Sequence, residues 1–391
     1  MADTCKTKLF TSEMAGAPVL SGTAGSLINL LDAVLVNGFG LQTVTSLVVT
    51  DGVAVVSVAT TPSAVVGSVV LISGATPAGL NGEQRVTAIA SNSVSFATTE
   101  ANGTATGSIS MKVAAAGWSK PFTGTNLAAY KMGSVEGTGF LLRVDDTGTT
   151  TSRVRGYETM SSISAGVGAF PAVAQIADPG LWIAKSSAAD ATARLWKIVA
   201  DQRGVFVFVK QYGTSAEYLN CYFGDILSLK SNDPYACVIR AHASSHAITA
   251  VPIGTELGHL DLSYSYGGLY MSRAANTLGG AVQAFNTPAL TVGTNALGGP
   301  SGALGLPYPS QVDNGLMLSP ITIYNASGIR GYYPGVYASP QITNTSFSSG
   351  DSVVGSGSVA GKSVMVIKSG APTAGATQGV LFIDTTSDWR V

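Results

Sequence analysis

Residues Ala193 to Ala241 read ARLWKIVADQRGVFVFVKQYGTSAEYLNCYFGDILSLKSNDPYACVIRA, and the texture of this stretch decides the fold. Apolar and β-branched residues run from Ala193 to Ala200 and again from Gly204 to Lys210, with Asp201-Gln202-Arg203-Gly204 between them. Runs of this kind bounded by turn residues predict a strand, a tight turn and a returning strand. Tyr218 to Ile226 and Tyr235 to Ile239 predict two more, separated by Lys230-Ser231-Asn232-Asp233-Pro234. Consecutive strands with short links usually lie side by side, so the stretch is expected at the centre of an antiparallel sheet.

The whole chain has 391 residues, more than one typical domain and enough to bury a sizeable core. Charged residues make up only 11% and hydrophobic ones 46%, and there are 47 glycines. Low charge could signal disorder, but this much apolar content argues against it. An all-β protein with an uncharged surface is the better expectation, and such a surface is tolerable where neighbouring subunits cover it. The net charge of −1 supplies no electrostatic footprint for nucleic acid. No secretory leader is visible, since Lys6 and Lys8 are followed only by Leu9-Phe10 before Thr11-Ser12-Glu13. No apolar run approaches the roughly 18 residues that a spanning helix needs. These features place the protein in a cytoplasm, or in a particle assembled there.

Outward from the central stretch, residues 1–41 divide into a polar arm and a helix. Residues 1–22 offer little to bury. Leu27, Leu30, Leu31, Val34 and Leu35 then recur at helical spacing, with a start near Thr23 to Ser26 and a stop at Asn37-Gly38. That helix is expected to dock on its own domain by default, with a neighbouring subunit as the alternative. Residues 42–113 nearly lose their charges and carry short Val/Thr/Ser/Ile strands. Asp51-Gly52, between Thr43–Thr50 and Val53–Ala59, is a strong two-residue hairpin signal. Val66–Ser73, Glu83–Ala90, Ser93–Thr98 and Thr106–Val113 follow. About six strands in this length suit a small β-sandwich or barrel, inserted before Trp118, where a more aromatic and more charged pattern takes over. Residues 114–391 form the main domain, predicted as an antiparallel β-sandwich or jelly-roll-like fold. It includes a hairpin about Asp145-Asp146-Thr147-Gly148, loops rich in Gly, Asn, Ser and Pro between Leu257 and Pro309, and strands at Leu316–Tyr324, Ile329–Tyr337, Val364–Lys368 and Val380–Asp384.

No catalytic, cofactor-binding or metal-binding constellation emerges. Gly361-Lys362-Ser363 resembles the end of a phosphate loop, but Ser356 stands where the first Gly is required. Gly38-Phe39-Gly40 lacks a third Gly and reads as a helix stop. Gly299-Pro300-Ser301-Gly302 is a loop and not a nucleophile elbow. His242 and His246 are four apart, but no Glu lies between them; with His259 they are an incomplete zinc set. Glu158, Asp190, Asp225, Asp233, Glu256 and Asp261 are candidates, by elimination only, for the carboxylate pair of a glycosidase. Asp225, among apolar neighbours, is expected to be hydrogen-bonded to a turn. Asp145-Asp146 could hold calcium, yet turn chemistry accounts for it. Tyr332, Tyr333 and Tyr337 with Tyr264, Tyr266 and Tyr270 could line a sugar-binding surface, with interface packing as the other explanation. Cys5, Cys221 and Cys237 form no framework; Cys221 and Cys237 are expected as buried thiols that could face each other.

Four stretches carry a resemblance: the opening Phe10-Thr11-Ser12-Glu13-Met14-Ala15-Gly16-Ala17-Pro18 through Gly22-Thr23-Ala24-Gly25-Ser26-Leu27; Ile72-Ser73-Gly74-Ala75-Thr76-Pro77-Ala78-Gly79-Leu80-Asn81-Gly82; Ala189-Asp190-Ala191-Thr192-Ala193-Arg194 with Tyr222-Phe223-Gly224-Asp225; and Ile329-Arg330-Gly331-Tyr332-Tyr333-Pro334-Gly335 with Trp389-Arg390. Together they make the chain resemble the virion structural proteins of tailed bacteriophages. The resemblance implies a non-enzymatic, symmetric homo-oligomer, a trimer or a ring, built into the virion with other virion proteins and set in the tail at the tip, baseplate or fibre. It implies no site residues and no cofactor. The alternatives are a head or capsid decoration protein, and an adhesin that binds or cleaves a host-surface glycan.

Overall fold

The central stretch forms four consecutive antiparallel strands, Trp196–Asp201, Gly204–Val209, Leu219–Asp225 and Cys237–His242. Asp201 faces Gly204 across the first turn, Gly204 faces Gly224, and Asp225 faces Cys237. All residues of these strands are buried. Strands covered on both faces need apolar residues on both, so they read as continuous runs without alternation. The computed structural model that shows this describes residues 6–213, 218–243, 267–274, 276–288, 306–341, 343, 346–355, 359–369 and 379–390.

These strands belong to a thirteen-stranded sheet. Beyond Cys237–His242 it continues through Leu181–Ala184, Thr151–Ser162, Leu141–Asp145 and Leu127–Lys131 to Ser119–Gly124. The sheet curls, because its far end meets its beginning: the Trp118 indole donates to the Asp201 carbonyl at 2.7 Å, and the Gly133 amide to the Gln202 carbonyl at 3.0 Å. Inside the curl lies the helix, an α-helical turn and a half at Ser26–Leu31 that widens into a π-helical segment at Asp32–Asn37. Gly38 ends it at φ +72, where its amide reaches back to Ala33 at 2.8 Å. Leu27, Leu30, Leu31, Val34 and Leu35 are all buried in one core with Val144, Ile198, Val207 and Phe223. At about 1.5–3 kcal/mol for each fully buried aliphatic side chain, they contribute on the order of 10 kcal/mol. The helix therefore docks at home, and its apolar face is not offered to a neighbouring subunit.

The opposite face of the four strands packs on a seven-stranded sheet. Its order is Phe285–Pro288, Ser319–Asn325, Gly328–Ala338, Gly379–Asp384, Ser363–Ser369 and Ser352–Val354. Val199, Phe206 and Tyr222 meet Ile323, Tyr333 and Ile383 across this layer. Trp389 closes it with its ring edge-on to Phe206 at 5.7 Å and its indole donating to the Asp384 carbonyl at 2.9 Å. The mainly β class, with antiparallel sheets packed face to face and one short helix, is thus what the structure shows.

A third, eight-stranded sheet spans Phe39–Thr50 to Ser110–Val113. Its entry and exit strands are partners, Phe39 facing Val113. Leu47, Val49, Val56, Val94 and Phe96 form its own core. At the Asp51-Gly52 turn both residues have positive φ, +49 and +78, the conformation of a type I′ hairpin, and the Asn102 side chain accepts the Asp51 amide at 2.8 Å.

One expectation is corrected. Residues 6–22, the described part of the expected arm, are not short of things to bury: Lys8–Thr11 is the edge strand beside Trp196–Asp201, and Phe10, Met14 and Leu20 are buried. Phe10 faces the helix core and Leu9 the inter-sheet core, so the stretch is too short and too evenly buried to show a period. The cysteines are buried free thiols as expected, and the possibility that they face each other is set aside, because Cys237 stands opposite Asp225 and Cys221 opposite Val207. Burial pushes the Cys221 thiol up to about 12, against the pull of Arg240.

Candidate functional site

Asp201 and Asp225 end two of the central strands, and both are fully buried. A carboxylate there needs a counter-charge and donors, since burying an unpaired charge is costly. Asp225 accepts the Thr138 amide at 3.0 Å, the Thr138 hydroxyl at 2.6 Å and Arg203 Nε at 3.1 Å. Its backbone carbonyl accepts Tyr222 Oη at 2.5 Å and Arg390 Nη2 at 3.0 Å. Arg390 Nε in turn donates to Asp201 Oδ2 at 2.9 Å. Burial works against the Arg390 charge, but Asp201, Tyr222 and Asp225 outweigh it and hold the guanidinium protonated.

Over this network opens a cleft of about 490 Å³, lined by Glu136, Thr138, Arg203, Lys230, Asp233 and Arg390 together with Ile226, Leu227 and Pro234. Its rim is fixed by a second buried pair, Asp233 with Arg330 at 2.6 Å, and by Ser228 Oγ donating to Asp233 at 2.7 Å. Volume and mixed lining suit a small polar ligand.

The other sequence candidates lie apart from the cleft or outside the described residues. Glu158 receives both arms of Arg273, at 2.6 Å each. Asp190 sits 3.3 Å from Arg194. Glu256, Asp261, His246, His259, Tyr264 and Tyr266 lie outside the described residues, as do Cys5, Ser356, Gly299, Pro300 and Ser301. Asp145 accepts the Thr147 hydroxyl at 2.7 Å as a turn residue does, while Asp146 turns inward to the helix. Among the described tyrosines of the set, Tyr333 and Tyr270 are buried, Tyr333 edge-on to Tyr222 at 5.2 Å, and Tyr337 packs into the cluster that holds Phe382. His242 is buried in the sheet, with its imidazole pushed down to about 3 by burial and then by Arg240. Among the described residues no three His, Cys, Asp or Glu side chains are grouped to hold a metal, and no helix is long and apolar enough to cross a membrane.

Each described carboxylate from the candidate set is therefore matched to a cation. Sequence reasoning did not find Thr138, Arg203, Arg330 or Arg390. The available signal was the rarity of charge itself: in a chain with 11% charged residues, Asp201 and Asp225 at the ends of apolar runs call for buried cations. No family model matches the sequence, and no curated protein matches it.

Proposed function

We propose that the chain is a structural subunit of a tailed-phage virion, set in the tail, and that it acts by symmetric assembly. One observation carries this reading. The outward face of the small sheet presents Val48, Thr50, Val53, Val55 and Thr104, exposed, with Ser95 among them. Cross-strand partners Val48–Val55, Thr50–Val53 and Val55–Ser95 make it one continuous face without charge. Exposed faces of this kind mark interaction sites. The helix is consumed inside the chain's own fold, so assembly runs through the sheets. Sedimentation of the purified chain and antibody-gold labelling of intact virions test the proposal. An oligomer in solution and gold at the distal tail are expected; gold on the head moves the protein to the capsid, and a monomer absent from particles ends the reading.

The polar cleft beside Asp225 favours one second reading, contact with a host glycan. A glycan array with the wild type and Asp225→Asn tests it. Binding that the variant retains without any cleavage by either protein supports a lectin-like contact, and cleavage lost in the variant would make Asp225 a catalytic group.

A further inference from the structure

Each of the three sheets ends in a short edge strand, and the three edges meet. Lys8–Thr11 ends the large sheet, Ser352–Val354 the second and Gly82–Arg85 the small one. Between them lies a cleft of about 530 Å³, lined among others by Leu9, Thr11, Val66, Arg85, Ser352 and Met365.

The register shows which backbone groups face outward from the Lys8–Thr11 edge. The Ser12 amide donates to the Trp196 carbonyl at 3.0 Å, and Lys8 and Phe10 face Ala200 and Ile198 in the same phase. Leu9 and Thr11 are then the non-hydrogen-bonded positions, whose backbone groups turn away from the neighbouring strand. The Thr11 carbonyl is taken by the Met14 amide at 3.2 Å. The Leu9 amide and carbonyl and the Thr11 amide have no partner among the described residues. The Thr11 hydroxyl is likewise buried and unpartnered, with the residue only 4% exposed. A buried hydroxyl without a partner is costly, and outward backbone groups along a cleft offer pairing to a further strand.

Charge adds a second requirement. Arg85 donates to the carbonyls of Gly67 at 2.9 Å, Thr385 at 3.1 Å and Thr7 at 3.0 Å. Burial disfavours its charge and outweighs the support that Asp388, Asp384 and Glu83 give through space, and it makes no ion pair with them among the described residues. The cleft thus holds a cation fixed in place without an anion in contact.

We propose that this cleft takes up an extended strand of another protein, paired along the Lys8–Thr11 edge, with apolar side chains on Leu9, Val66 and Met365 and a carboxylate at Arg85. Strand addition satisfies the outward amides by backbone pairing and leaves specificity to alternate side chains. A second copy of this chain is a poor donor, because among the described residues its carboxylate-bearing strands use those groups at home: Glu83 on Lys8, Asp145 on Arg143, Glu158 on Arg273, Asp201 on Arg390, Asp225 on Arg203 and Asp384 on Lys362. The inference rests on the assembly reading for the source of the strand, a neighbouring protein of the particle.

The test uses the purified full chain and a short blocked peptide of alternating valine and serine with one central aspartate, beside a peptide carrying lysine there. The aspartate peptide is expected to bind about tenfold tighter than the lysine peptide and to slow amide exchange at Leu9 and Thr11. Val66→Asp, at a position 60% exposed and so tolerant of change, should weaken that binding by about tenfold. Arg85→Gln should remove the discrimination between the peptides. No binding at millimolar peptide, binding that leaves Leu9 and Thr11 exchange unchanged, or equal affinity for both peptides would overturn the proposal. So would self-association of the chain that protects the same amides without peptide. A negative result here leaves the gold-labelling outcome untouched, so the two readings fail separately.

Discussion

Lys185 and Asp146 form an ion pair with neither side chain exposed, and Asp146 at the same time caps the buried helix. Its Oδ2 accepts the amides of Leu27 at 2.8 Å and Ile28 at 3.1 Å, although no nearer side chain caps that end. Ser152 Oγ donates to Oδ1 at 2.5 Å, and Lys185 also donates to the carbonyls of Thr23 and Gly148, at 2.8 Å each. The hairpin residue that could have bound calcium thus fastens the helix to the sheet that encloses it. Asp146→Asn is expected to cost about 3–5 kcal/mol, because it leaves a buried ammonium without its counter-charge. Urea unfolding of Asp146→Asn, Lys185→Met and the double variant checks this; the double variant should lose less than the sum of the singles.

Gly335 stands at φ +64 in the long strand Gly328–Ala338, and a methyl group there would overlap the Trp389 indole. Both strain and overlap oppose Gly335→Ala, so a loss of about 3 kcal/mol is expected. Trp389 should leave its contact with Phe206, which a red shift of tryptophan emission would report. An unshifted spectrum with wild-type stability would show that the closing tryptophan is not held there.

His242 sets a pH dependence. Its folded pKa, about 3, lies below the ordinary 6.5 because burial and then Arg240 disfavour the imidazolium. Above pH 6.5 both folded and unfolded states hold it neutral and it adds no dependence. As pH falls from 6.5 towards 3 the unfolded chain takes up a proton that the folded one refuses, so stability is lost through that window. Between pH 7 and pH 4.5 the wild type should lose about 3 kcal/mol more than His242→Gln. Denaturant titrations of both proteins at the two pH values give the difference.

The small sheet should tolerate charge on its outward face. Val55 is 36% exposed and Val48 likewise, so Val48→Lys with Val55→Lys should change stability by less than about 1 kcal/mol. If the chain assembles through this face as proposed, the added lysines should weaken assembly sharply, since they set charges on an otherwise uncharged surface. Sedimentation velocity of the variant against the wild type decides it, and an unchanged oligomer would move the interface elsewhere.

The strand texture was legible wherever burial is uniform or alternating. Gly204–Val209 reads as a continuous apolar run because both its faces are covered, and Val53–Val58 alternates because one face is open. Asp51-Gly52 announced its hairpin through two residues able to take positive φ. Leu27 to Leu35 announced a helix, though not its π-helical second half, because the apolar spacing is the same for either helix type.

By itself, the sequence determined the class of the protein: apolar runs, turn residues and scarce charge leave little but stacked antiparallel sheets. Only the tertiary structure decided where the charges go. Asp146 reaches a helix 119 positions upstream, Arg390 reaches Asp201 across 189, and Lys8–Thr11 finds its partner strand beyond residue 196. Local spacing carries no information about such pairings, because each joins segments far apart in the chain. The cost of a buried unpaired charge then leaves one arrangement in which every carboxylate of the core meets a donor.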